Sequence, residues 1–324
     1  MKVHHDIQHL PHFKNAVVTI GTFDGVHTGH QQIIQLMKEE AGRINGETVI
    51  ITFHPHPRQV IAARQTEVFL LNTIQEKIIL LEKYGIQHLV VTPFTEEFSL
   101  QTAEEYIENF LVKTFHPHTI IIGHDHRFGK SRSGDFNLLQ EKAKQYNYVV
   151  KEIPGFMLQN NTISSTSIRQ ALLKGNIETA NEYLGYPYFF SGKVVVGNKL
   201  GRTIGYPTAN LFIEEDKKLI PSNGVYAVQV QLHEKAADES ASNTPSRLLT
   251  GMMNIGIRPT VEGTSRMIEV NIFNFDQEIY GDILTVTILK RLRNEQKFSG
   301  LDELKSQLAK DKEQAVEFLR SNFN

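Results

Sequence analysis

The ten residues GTFDGVHTGH, at positions 21–30, follow the apolar run AVVTI and precede the helix-like stretch QQIIQLMKEEAG. An apolar run, a glycine-rich turn and an amphipathic stretch in this order predict a strand that leads into a helix. Similar apolar runs follow at 47–53, 88–94, 119–124 and 147–153. Helix-length amphipathic stretches, such as 74–85 and 103–115, lie between these runs. The alternation predicts an α/β fold with a parallel sheet covered by helices on both faces.

The second half of the chain has a different pattern. Apolar and polar residues alternate with a period of two at 224–232, 266–273 and 282–289, and Gly, Pro and Asn separate these stretches. Such alternation predicts antiparallel strands that form a barrel or a sandwich. The segment 301–320 has the spacing of an amphipathic helix that packs on a domain. We therefore predict two domains, residues 1–184 and 185–324.

Composition excludes several classes of protein. The 324 residues carry a formal net charge of −2, which gives no global attraction to nucleic acid or to an anionic membrane. There is no cysteine, so disulfides and thiolate metal sites are excluded. No apolar run approaches the roughly 20 residues that span a bilayer, and the polar N-terminus does not resemble a signal peptide. We expect a cytoplasmic protein; the sequence leaves its oligomeric state open.

The turn at 21–30 has the features of an anion site. A turn between a parallel strand and a helix exposes free backbone N–H groups and the positive end of the helix dipole. Gly21 and Gly25 permit the turn, and Gly29 permits close approach of a phosphate. His27 and His30 can then donate hydrogen bonds to phosphate oxygens. The alternatives are that one histidine caps the helix while the other is solvated, or that the pair binds a metal, although a third ligand is not evident.

Two later segments offer further groups for the same site. Residues 121–136 contain the end of the apolar run at 119–124, the fourth predicted strand, and the loop that follows it. This loop supplies four charged side chains, Asp125, Arg127, Lys130 and Arg132. Such a loop suits an adenine nucleotide or a flavin phosphate. Residues 161–169, NTISSTSIR, place three hydroxyl groups before a helix whose first turn carries Arg169. They form either a second phosphate clamp or simple N-capping of that helix.

The motifs GTFDGVHTGH, TFHPHPR, GHDHRFGKSRSGD and ISSTSIR resemble the adenylyltransferase half of bacterial bifunctional riboflavin kinase/FMN adenylyltransferases, or FAD synthetases. The resemblance implies a Rossmann-like nucleotidyltransferase domain in which His27 and His30 stabilise the attacked α-phosphate of ATP. The FMN phosphate would attack and pyrophosphate would leave. For ATP, the implied residues are Gly21, Phe23, Asp24, Gly29, Ser165, Thr166 and Arg169. For FMN, they are Asn161, Asp125, Arg127 and Phe128. His126 is a departure, since the family usually has an aromatic residue there.

The second half contains GNKLGRTIGYPTANL at 197–211. Thr208 and Asn210 are two positions apart, so on an extended segment their side chains share a face. Two neutral oxygens suit Mg²⁺ when a nucleotide and water supply the other ligands. The motif of a P-loop is missing. Glu269, in a stretch of alternating pattern, could act as a general base, but from the local pattern alone an outward-facing strand glutamate is the simpler interpretation.

GRTIGYPTANL, GVYAV, NIGIRPT and IEVNIFNFDQEIYGD occur in the order found in riboflavin kinases, which they resemble. The resemblance implies a six-stranded β-barrel with a terminal helix. Thr208 and Asn210 would bind Mg²⁺ with ATP, and Glu269 would deprotonate the ribityl 5′-hydroxyl. It further assigns Gly201, Gly205 and Pro207 to ATP, and Tyr226 and Arg293 to the flavin. Asn271 and Asn274 depart from the family pattern of His and Asp.

The function predicted from both halves is synthesis of FMN from riboflavin and then of FAD from FMN, with ATP as co-substrate and flavins as ligands. Two other classes stay open. HxGH also marks tRNA synthetases, but the weak net charge and the lack of a KMSKS-like segment disfavour a nucleic-acid partner. A flavin-binding regulator without turnover is the other, and the retained His27, His30, Thr208, Asn210 and Glu269 disfavour it.

Overall fold

The computed structural model describes residues 1–61, 68–123, 126–153, 157–158, 161–197, 199–233, 248–260 and 263–323. For residues 157–158, 161–162, 258–260, 263–265 and 323, the backbone alone is described. The chain forms two compact units, Met1–Ser165 and Thr166–Asn324.

The first unit is built on a parallel sheet. Its strands are β1 (Lys2–His4), β2 (Val17–Ile20), β3 (Thr48–His54), β4 (His88–Pro93), β5 (Thr119–Gly123) and β6 (Val149–Ile153), and a short antiparallel pair follows, β7 (Met157–Leu158) and β8 (Asn161–Thr162). Within the described residues the sheet has six strands in the order β1-β4-β3-β2-β5-β6. The central strands are buried along almost their whole length, which explains why their sequences are continuous apolar runs. The predicted parallel α/β fold is confirmed.

Helices cover this sheet. They are α1 (Thr28–Ile44), α2 (Pro57–Ile61), α3 (Ile74–Lys83), α4 (Glu96–Ser99), α5 (Ala103–Glu105), α6 (Lys113–Phe115) and α7 (Phe136–Tyr146). A π-helix, Tyr106–Val112, joins α5 to α6, so the predicted helix at 103–115 is one helical segment. Its buried aromatic side chains, Phe110 and Phe115 among them, pack with β2, β3 and β5 in the core of the unit. At α3, Thr73 and Glu76 form the capping box that begins the helix.

The edge strand β1 was not predicted from the sequence. It has three residues and its side chains are at most half-buried, so it lacks the apolar pattern that marks the other strands. It forms by parallel pairing with β4, where Val3 lies opposite Leu89. His4 and His88 on the two strands are within hydrogen-bonding distance, 3.1 Å between ring nitrogens.

A buried carboxylate ties α1 to β6. Glu40 is 4% exposed and accepts hydrogen bonds from Arg43 and Lys151 at 2.7–2.9 Å. The hydrogen bond from Arg43, and then that from Lys151, lowers the pKa of Glu40 to about 2 although burial opposes this. The cluster joins α1, the helix that follows the loop at 21–30, to the edge strand β6 of the sheet.

The second unit is a barrel. Its strands are β9 (Phe189–Val195), β10 (Ala209–Phe212), β11 (Gly224–His233), β12 (Leu248–Thr260), β13 (Gly263–Ile272) and β14 (Ile283–Arg293). In the described part of the chain these six strands close in the order β10-β13-β12-β11-β14-β9. Every pairing is antiparallel. The predicted six-stranded barrel is confirmed.

The helices of this unit are α8 (Ser165–Lys174), which begins at the last residue of the first unit, α9 (Ile177–Leu184), α10 (Leu200–Thr203) and α11 (Leu301–Phe323). Asn181 in α9 donates to Ile288 O at 3.0 Å and accepts from Tyr188 N at 2.7 Å, so α9 is attached to β14. The boundary predicted at 184/185 stays a prediction.

The terminal helix α11 packs on the outer face of the barrel. Ala315 and Leu319 contact a buried cluster that includes Met252 and Phe273, which confirms the predicted packing helix. Arg293 at the end of β14 forms a two-pronged ion pair with Asp311 of α11, at 2.8 and 2.7 Å. Because Asp311 is fully buried, this pair fixes where the helix lies on the barrel.

Candidate active sites

The loop at 21–30 lies where the strand order of the first unit reverses. β2 has β3 on one side and β5 on the other, and all three run parallel. The chain moves from β2 to β3 and β4 in one direction, and β5 and β6 lie in the other. In open parallel sheets a ligand crevice forms at this reversal, beyond the carboxyl ends of the strands. The loops that follow β2 and β5 therefore border one crevice.

The backbone of this loop is strained. Phe23, Gly25 and Val26 have φ angles of 46°, 86° and 36°. Positive φ is unfavourable for a β-branched residue such as Val26 and costs on the order of 1–3 kcal/mol. Both Phe23 and Val26 are buried, and the Gln31 side chain donates to Val26 O at 2.9 Å. Packing and this hydrogen bond hold the conformation that presents the next residues to the crevice.

The two histidines lie together. Their rings are stacked with centroids 3.7 Å apart, and the Phe23 ring centroid lies 4.7 Å from that of His30. His27 occupies the N-cap position of α1, but its side chain makes no capping hydrogen bond. A Cβ at Gly29 would lie only 3.3 Å from His27 Nδ1, so the glycine makes room for the ring. The histidine-capping alternative is therefore not what the structure shows.

Burial lowers the pKa of His30 well below its usual range, and the neighbouring His27 and Lys77 lower it further. His30 is therefore neutral near pH 7. A neutral imidazole still carries one N–H donor, so it can bind a phosphate oxygen without contributing a fixed charge.

Asp24 connects the loop to two other segments. Its carboxylate is buried and accepts hydrogen bonds from Leu71 N at 2.9 Å and Asn72 N at 3.2 Å. Ser165 Oγ donates to Asp24 O at 2.8 Å. The ISSTS segment thus reaches the loop, as its predicted role in the same site requires. Thr166 and Arg169, also predicted for ATP, continue α8 in the second unit.

Lys77 was not predicted as a residue of this region. Its Nζ donates to Thr22 O at 2.7 Å and lies 3.3 Å from Thr52 Oγ1, directly beside the loop. Burial lowers the pKa of Lys77 to about 8, and Asp24 partly opposes the shift. Lys77 lies one helical turn from Leu80 and Leu81 on the buried face of α3. A lysine at an apolar position of the helical pattern was the signal that could have identified it.

The loop after β5 contains three of the four flavin residues implied by the resemblance, and Asn161 lies in β8. Arg127 forms an ion pair with Asp135 at 2.5 Å, and Asp135 caps α7 through Leu138 N. Phe128 is buried, with its ring 5.0 Å from that of Tyr106. Asp125 lies outside the described residues, and the Asn161 side chain is not described. The assignment of these four residues to FMN stays a prediction.

In the second unit, the register of the barrel brings two predicted residues, Asn210 and Glu269, together. Asn210 of β10 lies directly opposite Glu269 of β13. Opposed residues on antiparallel strands share a face, with Cβ atoms about 4.5–5.5 Å apart. Thr208 lies one residue before the start of β10, two positions from Asn210. The local pattern alone favours an outward-facing strand glutamate, and the pairing places Glu269 beside Asn210.

Glycines let the chain close around these residues. A Cβ at Gly197 would lie 2.2 Å from Asn210 Nδ2, and one at Gly201 would lie 2.2 Å from Tyr206 O and 3.5 Å from Thr208 Oγ1. Side chains at these two positions would displace the segment that carries Asn210 and Thr208. Gly205 has a φ of 85°, which favours glycine for a different reason.

The departures Asn271 and Asn274 have structural roles. Asn271 is buried and donates to Pro207 O at 2.7 Å, which holds the start of the PTAN segment. Asn274 has a φ of 53°, in the left-handed region that Asn tolerates better than most residues.

Tyr226 and Arg293 are not brought to Glu269. Tyr226 is fully buried and lies opposite Met253, and its hydroxyl donates to Ser222 O. Arg293 is engaged by Asp311. Their assignment to the flavin stays a prediction.

Comparison with known proteins agrees with this division into two sites. The family model of FAD synthetase matches residues 10–167, and that of riboflavin kinase matches residues 184–319. A bifunctional riboflavin kinase/FMN adenylyltransferase from Haemophilus influenzae is 37% identical over 95% of this chain and 96% of its own length. The protein of that description from Escherichia coli strain K12 is 38% identical over 97% of this chain and 96% of its own length.

A solved structure extends the likeness to the whole fold. The crystal structure of a macrolide-efflux protein from Streptococcus pneumoniae is 31% identical and has a TM-score of 0.83, covering 100% of this chain and 99% of that one. Its name describes transport, yet no helix in the described part of the present chain is long and apolar enough to cross a membrane. The Haemophilus influenzae and Escherichia coli proteins share one description, and each aligns with nearly the full length of this chain. The chain therefore belongs to the family of bifunctional riboflavin kinase/FMN adenylyltransferases.

Proposed function

We propose that this chain phosphorylates riboflavin with ATP in its second unit and transfers the adenylyl group of a second ATP to the resulting FMN in its first unit. Family membership supports both reactions. The observation that carries the proposal is the presence of a separate cluster of polar side chains in each unit. One is the stacked pair His27 and His30, and the other is the opposed pair Asn210 and Glu269.

For adenylyl transfer, the FMN phosphate attacks the α-phosphorus of ATP and pyrophosphate leaves. Charge builds on the α-phosphate oxygens as the new bond forms. The neutral imidazole of His30 and the ring of His27 donate hydrogen bonds to these oxygens, and prearranged donors need no reorganisation during the reaction. The positive end of the helix dipole at the start of α1 adds to the attraction for phosphate.

For phosphorylation, the Glu269 carboxylate accepts the proton of the riboflavin 5′-hydroxyl as its oxygen attacks the γ-phosphorus of ATP. The donor set fits Mg²⁺, because the amide oxygen of Asn210 and the hydroxyl of Thr208 are hard, neutral oxygens beside glycines that a Cβ would crowd. When bound, Mg²⁺ neutralises charge on the phosphates of ATP. Among the described residues, no cluster of three His, Asp or Glu side chains offers another metal site.

A product assay tests the proposal. The protein is incubated with riboflavin, ATP and Mg²⁺, and flavins are separated by chromatography; we expect FMN and then FAD, and the absence of both would refute the function. Replacing Glu269→Gln should lower FMN formation by about 10²–10⁴-fold while added FMN is still adenylylated. Loss of both reactions in a folded variant would overturn the assignment of the kinase to the second unit.

A cytoplasmic location and the absence of a nucleic-acid partner belong to this proposal. The formal net charge of −2 supports the latter. Measurement of tRNA binding at two salt concentrations checks it, since tight, salt-dependent binding would favour the alternative class.

A further inference from the structure

Lys77 of α3 is a buried charged side chain that neither proposed reaction uses. It is 6% exposed, and its Nζ donates to Thr22 O at 2.7 Å and to Thr52 Oγ1 at 3.3 Å. Thr52 Oγ1 in turn donates to Thr22 O at 3.2 Å. Two side-chain donors therefore bind one backbone carbonyl, and the ammonium makes the shorter contact. A hydrogen bond from a charged donor is about twice as strong as one from a neutral donor.

The Thr22 carbonyl lies where the strained turn begins. The next residue, Phe23, is buried and has a φ of 46°. Its ring centroid lies 4.7 Å from that of His30. A residue keeps a left-handed conformation only when its surroundings fix it. An anchored carbonyl at Thr22 therefore also fixes the ring that packs on His30.

A second connection joins α3 to the same loop. Just before the helix begins, the backbone N–H groups of Leu71 and Asn72 donate to the Asp24 carboxylate. Lys77, in the first turn of α3, holds the Thr22 carbonyl. The loop is therefore attached to this segment at two points, one on each side of the buried phenylalanine.

Lys77 carries the charge that these contacts depend on. The titratable groups around it are Asp24 in the loop, His30 on α1, Glu76 on α3, His54 at the end of β3, and His56 just after it. Lys77 is the one amine among the described residues that line the hollow beside Asp24. Burial lowers the pKa of Lys77 to about 8, and Asp24 partly opposes this shift. The ammonium is therefore present near pH 7 and is lost as the pH rises through about 8.

We propose that Lys77 is a positioning residue for adenylyl transfer: its ammonium holds the Thr22 carbonyl and thereby the orientation of His30. After burial and His27, the charge of Lys77 is the third cause that lowers the pKa of His30, so it also helps to keep that ring neutral. The inference rests on the proposed role of His30 at the α-phosphate. Lys77 acts through the loop and is not assigned to the reacting atoms.

The test compares Lys77→Met and Lys77→Arg with the wild type. Lys83→Met is the matched control, because Lys83 is exposed at the end of the same helix. The kcat and KM for adenylylation of added FMN are measured from about pH 6.5 to 9.5, and formation of FMN from riboflavin is measured in parallel. Phosphate monoesters have a second pKa of about 6, so ionisation of FMN does not produce a fall in rate above pH 7. Thermal unfolding checks each fold.

In the wild type, we expect the kcat for adenylylation to fall on the alkaline side with a midpoint at about pH 8, as Lys77 loses its proton. Lys77→Met lacks the ammonium, so its kcat at pH 7 should be about 10–100-fold lower, with KM little changed and the alkaline fall absent. Lys77→Arg keeps a charged donor whose pKa exceeds about 12, so its alkaline fall should move above about pH 9. Lys83→Met should match the wild type, and FMN formation should be the same in all four proteins.

An alkaline fall that stays at about pH 8 in Lys77→Arg overturns the role of Lys77 while the proposed function stands, and so does a wild-type kcat in Lys77→Met. If neither Lys77 variant folds, the wild-type profile decides: a fall with its midpoint at about pH 8 supports the role, and a constant kcat up to about pH 9 overturns it. Undiminished adenylylation in His30→Ala removes the group through which Lys77 acts. The absence of FAD with the wild type refutes adenylyl transfer itself.

Discussion

The variant His30→Ala should form FAD about 10²–10³-fold more slowly while formation of FMN continues. His30 is partly buried and packs against His27 and Phe23, and its neutral ring is one of the two side-chain donors that we propose for the α-phosphate. Loss of one prearranged donor to a developing oxyanion costs about 2.7–4 kcal/mol, which corresponds to a fall in kcat of roughly 10²–10³-fold. The riboflavin kinase residues are in the other unit, so the rate of FMN formation should stay within about twofold.

The assay follows FMN and FAD by chromatography in one reaction with riboflavin and Mg-ATP, and repeats the second step with added FMN. His30→Gln is the matched variant, because its amide keeps a neutral N–H donor; it should recover about tenfold over the alanine variant. Thermal unfolding checks that the packing of Phe23 on position 30 is not the cause.

Two results would refute this reasoning. Undiminished adenylylation in His30→Ala would show that the stacked histidines do not contact the reacting phosphate. Equal loss of both reactions in a folded variant would show that the two sites are not separate.

Three further predictions concern particular contacts. Gly197→Ala places a Cβ 2.2 Å from Asn210 Nδ2, so the rate of riboflavin phosphorylation should fall and the reaction should need more Mg²⁺. The rate of FMN adenylylation should be unchanged, and an unaltered Mg²⁺ requirement for phosphorylation would contradict the prediction. Asp311→Ala removes the carboxylate that pairs with the Arg293 guanidinium, so the free energy of unfolding, measured by denaturant titration, should fall by about 3 kcal/mol or more. A fall below about 1 kcal/mol would show that the ion pair contributes little to stability. The folded-state pKa of Glu40 is lowered, so the stabilisation that this carboxylate gives is present above pH 4.5 and is lost as pH falls towards 2. Glu40→Gln should therefore flatten the dependence of the free energy of unfolding on pH in this range, and an unchanged slope would contradict the lowered pKa.

The fold of each half could be predicted because its pattern is local. Continuous apolar runs such as that at 47–53 mark strands buried on both faces, and alternating stretches such as 224–232 mark strands of a barrel. The strand β1 was missed because its three partly exposed residues gain stability only by pairing with β4, which lies more than 80 residues away.

The candidate sites could be predicted only in part, for a related reason. The turn at GTFDGVHTGH and the two-residue spacing of Thr208 and Asn210 are local, so the sequence by itself determined that these groups occur together. Strand order and register depend on contacts between distant residues, and no single segment encodes them. Only the tertiary structure therefore decided that Lys77 is buried beside Thr22, and that Glu269 lies between Asn210 and Asn254.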